Sequence, residues 1–510
     1  MHAGRVAALL LGCLALGRAE EPCARCHPSE VTAFERSPMG RSVGAPSVFE
    51  KGRIVHKLSG STVTIERRGP LLEHRLERGG VVAKYPVAYS VGAGIVGYSY
   101  MVRLGRYLFQ SPASYYTQTR SWDLTPGYET DAHLDFTHEI SSGCLFCHTG
   151  SVNLMRGTAN QFGDPPFTAI SCERCHGSPA AHLENPVPGS IVNSAKLAPS
   201  RRDSVCEQCH LEGDVRILNP GRDWWDFQAG QATESVFATY LRTGGGGTLR
   251  AVSQSELLAE SRCAQKSGGR LWCGTCHNPH AGEQNRAQAV KQACLTCHGD
   301  LFAAGRHRAA AECVSCHMPR LRPTDVAHSA ITDHSIPRIA GAPEPGPAAR
   351  ELKAWREPDA AFVRRDLGEA YFELAASTQA VSDLQQAYRI LSQLPAQQRQ
   401  DPTVEADLGS VLLAQGQPQV AVQMFAAASA QVPSNARYAY CLAAALERAG
   451  QMEKAVQEFK RSMALDPSAP DAYLGLARFY RKAGREAESR NVLREYLRFM
   501  PQNIQLRLAE

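Results

Sequence analysis

Aromatic side chains make up only 7% of this 510-residue sequence, and no stretch after residue 19 approaches the roughly 20 continuous apolar residues a membrane-crossing helix needs. Charge of one sign is equally scarce: 55 Lys and Arg against 50 Asp and Glu leave a formal net charge of +5. So small an excess, spread along the chain, excludes the basic stripe that a nucleic-acid partner requires. No phosphate-cradling glycine loop and no nucleophile triad stands out. With 43% hydrophobic residues the chain can still bury sizeable cores, and its length predicts two or more domains.

Cysteine is the opposite case, with 17 copies. A reducing compartment rarely tolerates so many without a metal or cofactor to engage them. Residues 1–19 read as a secretory signal: Arg5 gives the positive start, residues 6–16 the apolar segment, and Gly17, Arg18 and Ala19 a cleavage site before Glu20. The expected location is periplasmic or extracellular. The lesser alternative is a lipoprotein anchored through Cys13, after Leu10, Leu11 and Gly12.

The cysteines fall into one pattern, Cys-x-x-Cys-His, at Cys23/Cys26/His27, Cys144/Cys147/His148, Cys172/Cys175/His176, Cys206/Cys209/His210, Cys273/Cys276/His277, Cys294/Cys297/His298 and Cys313/Cys316/His317. Random order at this composition would give about 0.02 copies. The pattern is the attachment motif of c-type haem. Two thiols form thioethers to the vinyl groups of one porphyrin, and the adjoining imidazole lies under the iron as its proximal ligand. Disulfides and zinc ribbons also pair cysteines, but neither requires a histidine after every second one. The expected cofactor complement is therefore seven covalently bound haems. Of the remaining cysteines, Cys441 reads as a small buried residue on a helical repeat and Cys263 as a packed thiol.

The second axial ligand decides whether a haem relays electrons or binds a substrate. The candidates by position are His182, six residues after the third motif; His280, after the fifth; His307, six before the seventh; and His328 and His334, after the seventh. His133 and His138 precede the second motif, and Met39 follows the first by twelve residues. A Met39 thioether would raise that haem's potential relative to bis-histidine haems. His56 and His74 lie in strand-like segments and are expected at the surface.

The motifs with their trailing residues, Cys172-Glu-Arg-Cys175-His176-Gly177 with His182, Cys273-Gly-Thr-Cys276-His277-Asn278-Pro279-His280, and Cys313-Val-Ser-Cys316-His317-Met318-Pro319 with His328 and His334, resemble the multihaem c-type cytochromes of the doubled Cys-x-x-Cys-His class, related to hydroxylamine oxidoreductase and ammonia-forming nitrite reductase. The resemblance covers roughly residues 23–338 in its haem sites and implies electron transfer or small-molecule redox chemistry. Those nitrite reductases carry lysine for the motif histidine at their catalytic haem, whereas every motif here ends in histidine.

Between the first two motifs, the alternation at 61–66 and the segments 97–103 and 107–110 predict a small antiparallel sheet inserted at about 50–130. Residues 340–347, with three prolines and two glycines, open a linker over 340–357. Beyond it, residues 402–435, 436–469 and 470–503 align at the 34-residue tetratricopeptide spacing. Leu408, Leu442 and Leu476 share a core position, Gly416, Gly450 and Gly484 the inter-helix turn, and Pro433, Pro467 and Pro501 the unit ends. A looser copy begins near Ala361.

The expected fold is thus mainly α: a haem-packed cytochrome domain over 20–339 with a small β insert, then an α-solenoid over 358–510. The expected function is that of an exported heptahaem electron-transfer cytochrome whose repeats dock a redox partner protein. The alternative is an oxidoreductase in which one open-coordination haem acts on a small nitrogen or sulfur compound.

Overall fold

The computed structural model describes residues 21–47, 49–155, 158, 160–242, 249–280, 286–303, 312–338 and 351–509. The signal reading, Cys13 and His307 fall outside them.

The mainly α expectation with a small β insert does not hold: the chain is 45% helix and 19% strand, and its N-terminal region is a large, nearly closed antiparallel sheet. Nine strands build it: β1 Val43–Gly44, β2 Gly52–His56, β3 Ser61–Arg68, β4 Leu71–Arg78, β5 Val81–Val91, β6 Gly97–Leu104, β7 Tyr107–Gln110, β8 Ala113–Tyr116 and β9 Ser121–Leu124. They run in the order β2-β3-β4-β5-β6-β8-β9, with β1 paired to β5 and β7 to β6.

The period of two explains which face is inside. In β3 the buried residues are Ser61, Val63 and Ile65, and in β4 they are Leu72, His74 and Leu76. The register sets Val63 opposite Leu76 and Ile65 opposite His74, and then His74 opposite Tyr85. Outward positions on β4 carry Glu73, Arg75 and Glu77, so a strand rich in charge still supplies half a core. The curl brings β2 round to β9, where the Trp122 indole N–H donates to the Glu50 carbonyl at 2.8 Å. Gly52 makes that approach possible, because a Cβ there would lie 2.2 Å from the indole.

The haem motifs follow on short helices, among them Ser142–His148, Glu173–His176, Pro199–His210, Cys273–Cys276, Arg286–Ala303 and Cys313–His317. A three-stranded antiparallel sheet of Val215–Leu218, Phe237–Arg242 and Leu352–Ala354 joins this part to the repeats. Its last strand lies within the stretch read as linker.

Eight helices then form the solenoid, from Val363–Thr378 to Glu486–Phe499, with Ile504–Ala509 behind them. Proline starts Pro402–Ala414, Pro418–Gln431 and Pro470–Lys482, where a missing N–H is harmless. Gly416, Gly450 and Gly484 take the left-handed conformation, at φ of 77°, 77° and 72°, that each inter-helix turn needs. Among the described residues no helix is long and apolar enough to cross a membrane.

The solenoid is held to the cytochrome part at both ends. At its start, Ala370, Tyr371 and Leu374 share a core with Ile217, Ala238 and Tyr240. There Arg365 donates to the Leu218 carbonyl at 3.1 Å, and Arg242 pairs with Asp383. At its end, the Ile504 N–H donates to the buried Asp135 carboxylate at 2.7 Å, and Ser468 Oγ to Glu139 at 2.6 Å. Beside these bonds Tyr107 and Phe499 meet edge to face at 4.8 Å.

Candidate haem sites

Each motif occupies about one helical turn, so the first cysteine, the second cysteine and the histidine come to one side of the peptide. The backbone shows this directly. His27 N–H donates to the Cys23 carbonyl at 2.8 Å, and His176 and His277 do the same to Cys172 and Cys273 at 2.9 Å. Every described cysteine is a free thiol, so none of the motifs is consumed by a disulfide.

Three motif histidines are each matched by a histidine from elsewhere. The His27 and His182 rings have centres 6.5 Å apart and planes 20° apart. For His176 and His280 the values are 5.8 Å and 9°, and for His277 and His334 they are 6.2 Å and 27°. An iron–imidazole bond of about 2 Å on each side, plus roughly 1 Å from nitrogen to ring centre, puts two axial imidazoles about 6 Å apart. The three pairs fit one iron each.

Hydrogen bonding prepares the same rings. His176 Nδ1–H donates to the Val192 carbonyl at 2.7 Å, His317 to Pro337 at 2.9 Å and His334 to Thr332 at 2.8 Å. Ser190 Oγ gives its proton to the Val187 carbonyl, so at 2.8 Å it accepts from His182 Nδ1. With the proton fixed on Nδ1, the lone pair sits on Nε2, the nitrogen that ligates iron in this arrangement.

A cavity of about 750 Å³ adjoins two of these rings, lined by His176, His182, Val187, Ile191, Val192 and Leu197. Leu183 and Val187 stand exposed beside it. A porphyrin face covers apolar side chains of this kind, so size, lining and ligands all suit haem.

The other expected ligands sit differently. His298, expected as the proximal ligand of the sixth haem, is not enclosed by protein as His176 and His182 are: it stands exposed on the helix Arg286–Ala303. The reason is the helix's facing, since Ala293, Cys294 and Leu295 are half-buried while Thr296, Cys297 and His298 turn outward together. Only a porphyrin bonded to Cys294 and Cys297 would cover that imidazole. The ring opposite His27 is that of His182, while Met39 lies half-buried beyond the helix Pro28–Glu35. His328 holds a positive φ of 54°, with Nε2 2.5 Å from Asp123 of β9 and its ring against Tyr116. His138 stacks on Tyr128 at 3.9 Å, and His133 is exposed.

Two histidines expected at the surface are inside the β structure, because each falls on the inward phase of its strand. His56 bonds Ser59 Oγ at 2.8 Å through Nδ1. His74 is fully buried and shares a 2.7 Å hydrogen bond with Ser111 Oγ. Burial without a countercharge pushes the His74 imidazole down to about 3, so it stays neutral.

Sequence reasoning named His182, His280 and His334 but not their pairing. The missed signal was regular: each lies after the next odd-numbered motif beyond the one it completes.

Two thiols and a histidine on one turn, faced by a second histidine, define a c-type cytochrome site. Family models agree: cytochrome c554 and c-prime over residues 113–177, the doubled CXXCH motif over 265–303, and tetratricopeptide repeats over 406–470 and 446–510. The chain is a multihaem c-type cytochrome fused to C-terminal tetratricopeptide repeats. No curated relative matches it. Among solved structures it is similar to MamA from Desulfovibrio magneticus RS-1, at 18% identity over 28% of this chain and 85% of that one, with a TM-score of 0.24. It is also similar to YrrB, a tetratricopeptide protein with an unusual peptide-binding site, at 19% identity over 29% of this chain and 73% of that one, with a TM-score of 0.24. Likenesses this slight define no function.

Proposed function

We propose that the protein is an exported heptahaem cytochrome that relays electrons, with one haem at each motif and the solenoid presenting it to a protein partner. The observation that carries the relay is the set of three histidine pairs at 5.8 to 6.5 Å. When bound, each haem supplies an iron that cycles between ferric and ferrous states. The chain's own residues hold both faces of the iron at these three sites, which favours electron transfer over substrate binding. Nδ1 bonds to carbonyl or hydroxyl oxygens keep the imidazoles oriented through each cycle. The apolar wall around His176 and His182 limits water and stabilises the reduced form. Haem attachment outside the cytoplasm agrees with the secretory leader read at 1–19.

Haem counting tests this reading. Intact mass and the pyridine haemochrome assay on protein matured in a c-type haem attachment system should give seven haems per chain, falling by one in a Cys172→Ala/Cys175→Ala variant. A count well short of seven in the unmutated protein would overturn it.

A further inference from the structure

We infer that the haem sites form a branched array rather than a single file, with the fifth motif at the junction. This rests on the proposed reading that every motif carries haem. Two kinds of contact bear on where the porphyrins lie.

The first is the sharing of peptide between sites. His182, which faces His27 of the first motif, lies six residues after His176 of the third. His280, which faces His176, lies three residues after His277 of the fifth. His334, which faces His277, is tied to the seventh site, because His317 donates to the carbonyl of Pro337 only three residues further on. A peptide that short permits only neighbouring sites. Sites one, three, five and seven therefore follow one another.

The second is contact between attachment cysteines, whose sulfurs are the atoms joined to the porphyrin edge. Cys206 of the fourth motif and Cys273 of the fifth are hydrogen-bonded. So are Cys147 of the second and Cys209 of the fourth, and Cys294 of the sixth and Cys313 of the seventh. Each contact brings two porphyrin attachment points together.

Combined, these links give the fifth site three neighbours, the third, fourth and seventh, and leave the first, second and sixth as ends. Exposure agrees independently. Each end has an exposed attachment cysteine, Cys26, Cys144 or Cys297, whereas no attachment cysteine of the third, fourth or fifth motif is exposed; Cys316 of the seventh is the other exposed one. An electron arriving at one end thus has two exits, and the protein distributes electrons between partners instead of passing them straight through.

Iron positions test this directly. Anomalous X-ray scattering at the iron edge, on crystals of the haem-loaded full chain, should show the fifth iron with three near neighbours and the first, second and sixth with one each. Irons in single file, or a fifth iron with two neighbours, would overturn the branch while leaving the electron-transfer reading intact; fewer than seven irons would instead overturn the haem count. In solution, removing the fifth haem by Cys273→Ala/Cys276→Ala should shift the midpoints of three remaining haems, and removing the first by Cys23→Ala/Cys26→Ala only one. Equal numbers of shifted midpoints in the two variants would also count against the branch.

Discussion

A histidine's role here depends on what meets its second nitrogen. The seven motif histidines were legible from sequence because thioether attachment is local and fixes the spacing. Their partners were legible only as candidates, since Val192, Ser190 and Thr332, which orient the rings, are brought in by folding. His74 shows how period misleads: a polar residue in an alternating strand reads as outward unless the phase is counted from Leu72 and Leu76. Its consequence is a pH dependence. The folded state holds His74 neutral down to about 3, whereas an unfolded histidine takes up a proton near pH 6.5 (about that of the free side chain). The depressed pKa therefore withdraws stability as pH falls from about 6.5 toward 3. Urea unfolding at pH 7 and pH 5 should show a smaller loss in His74→Gln than in the unmutated protein; equal losses would mean that His74 is accessible to protons in the folded chain.

Among the elements, the tetratricopeptide helices were the easiest to read, because turn glycines and terminal prolines repeat every 34 residues. The sheet was the hardest. Strands β3, β6 and β7 alternate visibly, but β4 carries Glu73, Arg75 and Glu77 outside, and β5 contains Pro86, so neither advertises a core. What closes the sheet is one aromatic side chain over one glycine. Gly52→Ala drives a Cβ to 2.2 Å from the Trp122 indole, and overpacking of this kind typically removes about 1–3 kcal/mol. Chemical denaturation should show that loss with haem content unchanged. A neutral substitution would mean that the β2–β9 closure contributes little.

Across the whole molecule, the solenoid is bound to its own cytochrome at both ends, so docking of another protein falls to the repeats between them. No periodicity reports that contact, because it depends on side chains as far apart in sequence as Asp135 and Ile504. Burial raises Asp135 to about 6 and Glu139 to about 7. An acid whose folded pKa is raised favours the folded contact most below its unfolded value, about 4 for both, and that contribution fades as pH climbs through the folded values. Hydrogen exchange at 504–509, corrected for intrinsic rate, should be faster at pH 8 than at pH 5, and faster still in Asp135→Ala, which loses a helix cap of about 1 kcal/mol. Unchanged protection would mean that the apolar contacts alone hold that end.

The most direct test of the account is low-temperature EPR on the oxidised, haem-loaded chain and on His182→Ala, His280→Ala and His334→Ala. The three pairs predict low-spin signals in the parent, and in each variant one haem in seven moving to a high-spin signal that binds carbon monoxide when reduced. Variants whose spin states match the parent would show that these histidines do not complete the haem sites, and would contradict the relay.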